Sequence, residues 1–151
     1  MNKTQIIYKL NNIISLVLKY GRNIDGEYQC DVLLEDKLTK MTLTYRASDK
    51  SVLPGKPTKV LKEIYNVIQY LMIDNAIGFV DVRQIGKLNN EYTEFDDENV
   101  YPIFPDNTGD YLICYKNGKS YSFNHDSYEL ENNDETQFIS YFLDTIEIIK
   151  N

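Results

Sequence analysis

Tyr111-Leu112-Ile113-Cys114-Tyr115-Lys116-Asn117-Gly118-Lys119-Ser120-Tyr121-Ser122-Phe123 is the stretch on which the reading of the fold turns. Asn-Gly between two apolar-rich runs is the strongest short-range hairpin signal, because a type I′ turn needs positive φ at both central residues. A two-residue loop also fixes the register, so Cys114 faces Tyr121 and Leu112 faces Phe123. Those four share one side of the hairpin. Ile113, Tyr115, Ser120 and Ser122 share the other, and that mixed side reads as partly exposed.

Upstream, Tyr101-Pro102-Ile103-Phe104 reads as a short extended piece, with Pro102 pointing to an edge or a strand end. Downstream, a helix starts near Asp134, whose side chain caps it while Gln137 reaches back. Phe138, Phe142, Ile146 and Ile149 are its expected buried stripe. In the first half, Ile6, Leu10, Ile13, Ile14 and Val17 recur at helical spacing, which predicts a helix from about Thr4 to Tyr20 closed by Gly21. Tyr28 to Leu34 and Met41 to Tyr45 alternate with period two and predict a β-hairpin. Its inward set is Tyr28, Cys30, Val32 and Leu34 opposite Met41, Leu43 and Tyr45. Pro57 suits a first helical turn, and the stripe Val60, Leu61, Ile64, Val67, Ile68, Leu71, Met72 extends that helix to about Ile73. Ile77 to Val82 reads as a short strand, and Leu88 to Asn99 as an acidic, polar connection.

The 151 residues suit one domain. Hydrophobic residues make up 42% and charged ones 26%, ordinary globular values that exclude a wholly disordered chain. The apolar run Ile13 to Leu18 is too short to span a bilayer, and no small-residue cleavage site follows it, so a soluble, cytoplasmic protein is expected. Net charge is −7, which argues against nucleic-acid or membrane binding. The charge is unevenly divided. Residues 1–87 hold 13 Lys+Arg and 9 Asp+Glu, net +4, whereas residues 88–151 hold 3 and 14, net −11. Such an asymmetry suits plain solubility or a surface that meets a basic partner.

Little points to catalysis. His125-Asp126 is the one His–carboxylate neighbour pair, and adjacent strand residues point to opposite faces, so it reads as a polar turn. Asp106-Asn107-Thr108-Gly109-Asp110 superficially resembles a calcium loop. Tyr111 stands where an EF-hand needs glycine and Asn117 where it needs Glu, so a tight turn is the better account. Cys30 and Cys114 form no CxxC and fall on apolar strand faces, as buried free thiols do. With one histidine, no metal site is expected, and no cofactor. The 13 tyrosines are the unusual feature of the composition, tyrosine being a side chain that interfaces favour.

Tyr101 to Leu112, followed by Asn117 to Asp126, resembles the second half of a SUKH superfamily domain. The shared features are an extended piece entering Gly109-Asp110, an apolar strand, a Gly-containing turn and a strand ending in His-Asp. Phe142-Leu143 matches the Phe-Leu of the family's terminal helix, and Leu53-Pro54 its Leu-Pro before the middle helix. Residues 101–145 carry the best match. The resemblance implies an α+β fold with a central, mainly antiparallel sheet and flanking helices. The SUKH-like core would span about 50–150, with the N-terminal helix and hairpin, 1–46, added to it. It also implies an immunity protein that binds and neutralises a cognate bacterial toxin, often a nuclease. The alternative is a non-enzymatic regulatory or scaffold module. An acidic, tyrosine-bearing surface suits a nuclease site as a phosphate mimic. The candidate contacts are Asp96, Asp97, Glu98, Asp106, Glu129 and Glu131, with Tyr92, Tyr115 and Tyr128 as aromatic anchors. Gly109 and Asp110 are read as structural, and the chain as a monomer or weak oligomer.

Overall fold

Asn117 and Gly118 both adopt positive φ, 52° and 79°, and between them close the hairpin that the sequence demands. Its strands are β7 (Tyr111–Lys116) and β8 (Lys119–Asn124), with Cys114 opposite Tyr121 as expected. A computed structural model describes residues 3–35, 38–86, 100–105, 111–124 and 129–150. The expected connection Leu88 to Asn99, the turn Asp106 to Asp110 and His125-Asp126 lie outside the described residues.

Among the described residues the fold is α+β, with three helices and two antiparallel sheets. Helix α1 (Lys3–Tyr20) buries Ile6, Leu10, Ile13, Ile14 and Val17, the stripe its spacing predicts. Gly21 follows it without positive φ. A Cβ there would lie 2.5 Å from the Val17 carbonyl of the last helical turn and 3.1 Å from the Gln29 carbonyl of the next strand but one, so glycine is required by close approach of backbone. That strand is β2 (Glu27–Leu34), preceded by β1 (Arg22–Ile24) and followed by β3 (Met41–Ala47). Tyr28 pairs with Tyr45, Cys30 with Leu43 and Val32 with Met41, the register of the expected hairpin.

The long helix expected to reach Ile73 is half that length. Helix α2 (Lys59–Val67) is capped by Thr58, so Pro57 precedes the first turn instead of opening it, and Ile68–Ile73 is strand β4, paired with β3. The edge of β3 needs a hydrogen-bonding partner, and a segment rich in Ile and Leu supplies one. Strand β5 (Ile77–Phe79) follows through a tight turn and is shorter than expected, because Val82 opens a 3₁₀ turn. Gly78 has φ 136° and passes against the Leu71 carbonyl with no room for a Cβ.

The second sheet runs β6 (Tyr101–Pro105), β7, β8, β9 (Glu129–Asn132). The final helix α3 (Glu135–Thr145) is capped by Asp134, which accepts from the Gln137 amide at 3.3 Å. It buries Ile139, Phe142 and Leu143. Ile146 belongs instead to strand β10 (Ile146–Ile148), which pairs with β2. Strands β1 and β10 therefore share one edge of β2, end to end.

One apolar cluster takes side chains from α1, α2, α3 and both sheets. Ile113 and Tyr115 are fully buried in it, so the hairpin face read as partly exposed is the core face. Tyr101 stacks on Tyr115 at 5.2 Å, and the Tyr115 hydroxyl donates to the Pro54 carbonyl, so the 51–57 loop and β6 cover it. The opposite face forms a small cluster of Val100, Cys114 and Phe123.

The N-termini of α2 and α3 meet at a buried carboxyl. Thr58 Oγ1 accepts from the Leu61 amide and donates to Glu135 Oε2 at 3.0 Å. Burial raises the Glu135 pKa, against the lowering by its hydroxyl donors. A carboxyl with a raised folded pKa contributes stability below its unfolded pKa, and that contribution is lost as pH rises through the folded value. Glu135→Gln keeps the acceptor and removes the charge. It should melt with the wild type at acid pH and roughly 2–4 °C higher at neutral pH, by calorimetry across the carboxylate range.

Candidate functional site

The first sheet has a covered face and an open one. Cys30, Leu43, Tyr45, Leu71 and Ile73 point to the core, so alternation turns Glu27, Gln29, Thr44, Arg46, Tyr70 and Met72 the other way. All six are half-buried. Where this face meets the second sheet lies a groove of about 380 Å³, lined by Glu27, Tyr70, Asp81, Gln84, Pro105 and Tyr111 among others.

Its polar groups are bonded to one another. The Tyr70 hydroxyl donates to Glu27 Oε2 and accepts from Arg46 Nε at 3.3 Å. Gln29 donates to Glu27 Oε1 at 3.0 Å, and Arg46 Nη1 to the Asp25 carbonyl at 3.1 Å. Hydrogen bonds from Tyr70, then Gln29, hold the Glu27 carboxyl below its ordinary pKa, while burial raises that of Tyr70. On the opposite wall Asp81 accepts through Oδ2 from Gln69, a residue 2% exposed, at 3.0 Å. Asp81 also caps the 3₁₀ turn through the Arg83 amide and pairs with Arg83 Nη2 at 3.2 Å. Each carboxylate thus has an arginine nearby, and the groove presents ordered polarity more than net charge.

Of the residues singled out from sequence, Glu129 and Glu131 are exposed on β9, the outer strand of the second sheet. Their partners Asn124 and Ser122 are two apart on β8, so the two carboxylates share one face. Tyr115 is a correction: it is fully buried and offers a partner no surface, because its ring and hydroxyl hold the 51–57 loop to β6 and β7. Asp96, Asp97, Glu98, Asp106, Tyr92 and Tyr128 lie outside the described residues. The groove residues Glu27, Tyr70 and Asp81, and Arg46 bonded to Tyr70 beside them, were missed by sequence reasoning. The signal was the alternation of Tyr70 and Met72 with Gln69, Leu71 and Ile73, hidden by the helical spacing of the same apolar residues.

Both cysteines are buried, and burial raises both thiols, Cys114 strongly, so neither offers a thiolate at neutral pH. Among the described residues no three His, Cys, Asp or Glu side chains gather as a metal ion would require. No helix among them is long and apolar enough to cross a membrane. In comparisons with known proteins, the chain matches no family, no curated protein and no solved structure.

The Tyr70 hydroxyl is the largest cause of the low Glu27 pKa, so its removal has a defined effect. A carboxyl with a depressed folded pKa contributes stability above its unfolded pKa, lost as pH falls through the folded value. In Tyr70→Phe the Glu27 carboxyl should titrate at higher pH, read by carboxyl-carbon NMR. The stability lost on acidification should shrink with it, because the folded and unfolded Glu27 values draw together.

Proposed function

We propose that the protein is a non-enzymatic binding protein of the immunity kind, which captures a cognate bacterial toxin and blocks its site. The observation that carries this reading is the outer strand of the second sheet, where Glu129 and Glu131 stand exposed on one face of β9. Two residues of strand set them about 7 Å apart. They belong to the half of the chain with net charge −11. A toxin that cleaves nucleic acid must hold phosphates and is basic around its cleft, so an acidic strand competes for that cleft. The resemblance of residues 101–145 to a SUKH domain points to the same class of activity. In this reading the protein acts in the cytoplasm of the toxin-producing cell, as a monomer or weak oligomer. A regulatory or scaffold module would use the same strand without silencing the partner.

The test pairs the protein with the toxic domain encoded by the adjacent gene. Co-expression should protect the cell, and the complex should weaken as salt rises. Glu129→Lys should loosen it about tenfold, whereas Glu147→Lys, an equal charge change at an exposed position of β10, should alter it less than about twofold. No complex at low salt would overturn the proposal. A complex that leaves the toxin active would transfer the strand to the scaffold role.

A further inference from the structure

A second cavity lies between the loop that follows β3 and helix α2, and no β9 residue lines it. Its volume is about 440 Å³, within the range of small-molecule sites. Leu53, Pro57 and Tyr65 are buried and form an apolar floor. The Tyr65 hydroxyl donates to the Val80 carbonyl at 2.8 Å, so its ring is what it gives the cavity. Val52, 88% exposed, stands on the lining as an apolar residue with no cover among the described residues.

The charged lining residues are Lys50 and Lys62. Both are exposed, and neither ammonium has an ion-pair or hydrogen-bond partner among the described residues. Lys50 also sits at φ 67°, where a residue other than glycine is uncommon. The loop holds it there: Ser48 Oγ accepts from the Lys50 amide at 3.1 Å, and Asp49 Oδ1 from the Ser51 amide at 2.9 Å. Backbone strain of this kind persists where the surroundings over-determine it, and it gathers at ligand sites. In a chain of net charge −7, two uncompensated ammonium groups over an apolar floor select strongly for ligand sign.

We propose that this cavity binds a small organic anion: a carboxylate or sulfonate on an aromatic or aliphatic body. The body lies on Leu53, Pro57 and Tyr65, and the anionic group meets Lys50 and Lys62. A bare inorganic anion would leave the floor unused, and a cation would meet two like charges. The site is independent of the acidic strand and of the immunity reading.

The probe is 8-anilinonaphthalene-1-sulfonate, titrated into the whole folded protein and followed by fluorescence, with 1-naphthalenemethanol as an uncharged comparison. Saturable binding at one site is expected, with NMR shifts at Leu53, Tyr65 and Asn66 and none from the alcohol. The variant Lys50→Gly/Lys62→Gln should weaken the sulfonate about tenfold. Glycine suits the positive φ at position 50 and Lys62 is exposed, so an unchanged melting curve verifies that the variant is folded. Unchanged affinity in the folded variant, equal binding of the alcohol, or shifts confined to other regions would overturn the proposal.

Discussion

Phe104 reaches from the second sheet into a space walled by Phe79 of the first sheet and by Phe138 and Phe142 of α3. The ring centroids lie 5.1, 5.1 and 4.8 Å away, all near-perpendicular. Edge-to-face pairs of this kind each contribute about 0.5–1.5 kcal/mol beyond the area they bury. Beside them the Val80 amide donates to the Ile103 carbonyl at 3.1 Å, so backbone as well as rings ties the sheets together. The seam fixes everything on its outer side. The polar groove exists because β5 and β6 are held in contact while the open face of the first sheet turns away from the helices.

Two glutamates show how the same side chain takes opposite roles by position. Glu27 faces outward and is met by donors from Tyr70 and Gln29, which favour its ionised form. Glu135 faces inward between two helix starts, where loss of water favours its neutral form. The first ties three strands of the open face together through Tyr70 and Arg46. The second ties α2 to α3 through Thr58. Each carboxyl is taken up by donors from other parts of the chain and serves to hold elements together.

The sequence was most legible where structure is local. The α1 stripe, the inward face of the first hairpin, the register of the second and the Asp134 cap follow from spacing and turn chemistry within a few residues. Ile68–Ile73 was not legible, because its apolar residues satisfy helical and strand periods equally, and the choice rests on the distant edge of β3. The groove inherits that failure. Tyr70 meets Glu27 and Arg46 only once β2, β3 and β4 lie side by side, so no motif announces the cluster. Tyr115 misled for a related reason: the residues that cover it, Pro54 and Tyr101, come from elsewhere in the chain. Glu129 and Glu131 were singled out by charge alone, and the strand adds that they face the same way.

The shared edge of β2 has a consequence for how the molecule assembles. β1 reaches its place through a two-residue turn, within microseconds of collapse, whereas Ile148 must find Val32 across nearly the whole intervening chain. Closing a loop of that length costs more chain entropy than closing the two-residue turn. Until it happens, half of one β2 margin stands with bare amides and carbonyls, a template for mispairing with another nascent chain. β10 thus acts as a latch: a pairing brought from the far end of the chain is the one that leaves this margin of the sheet sealed.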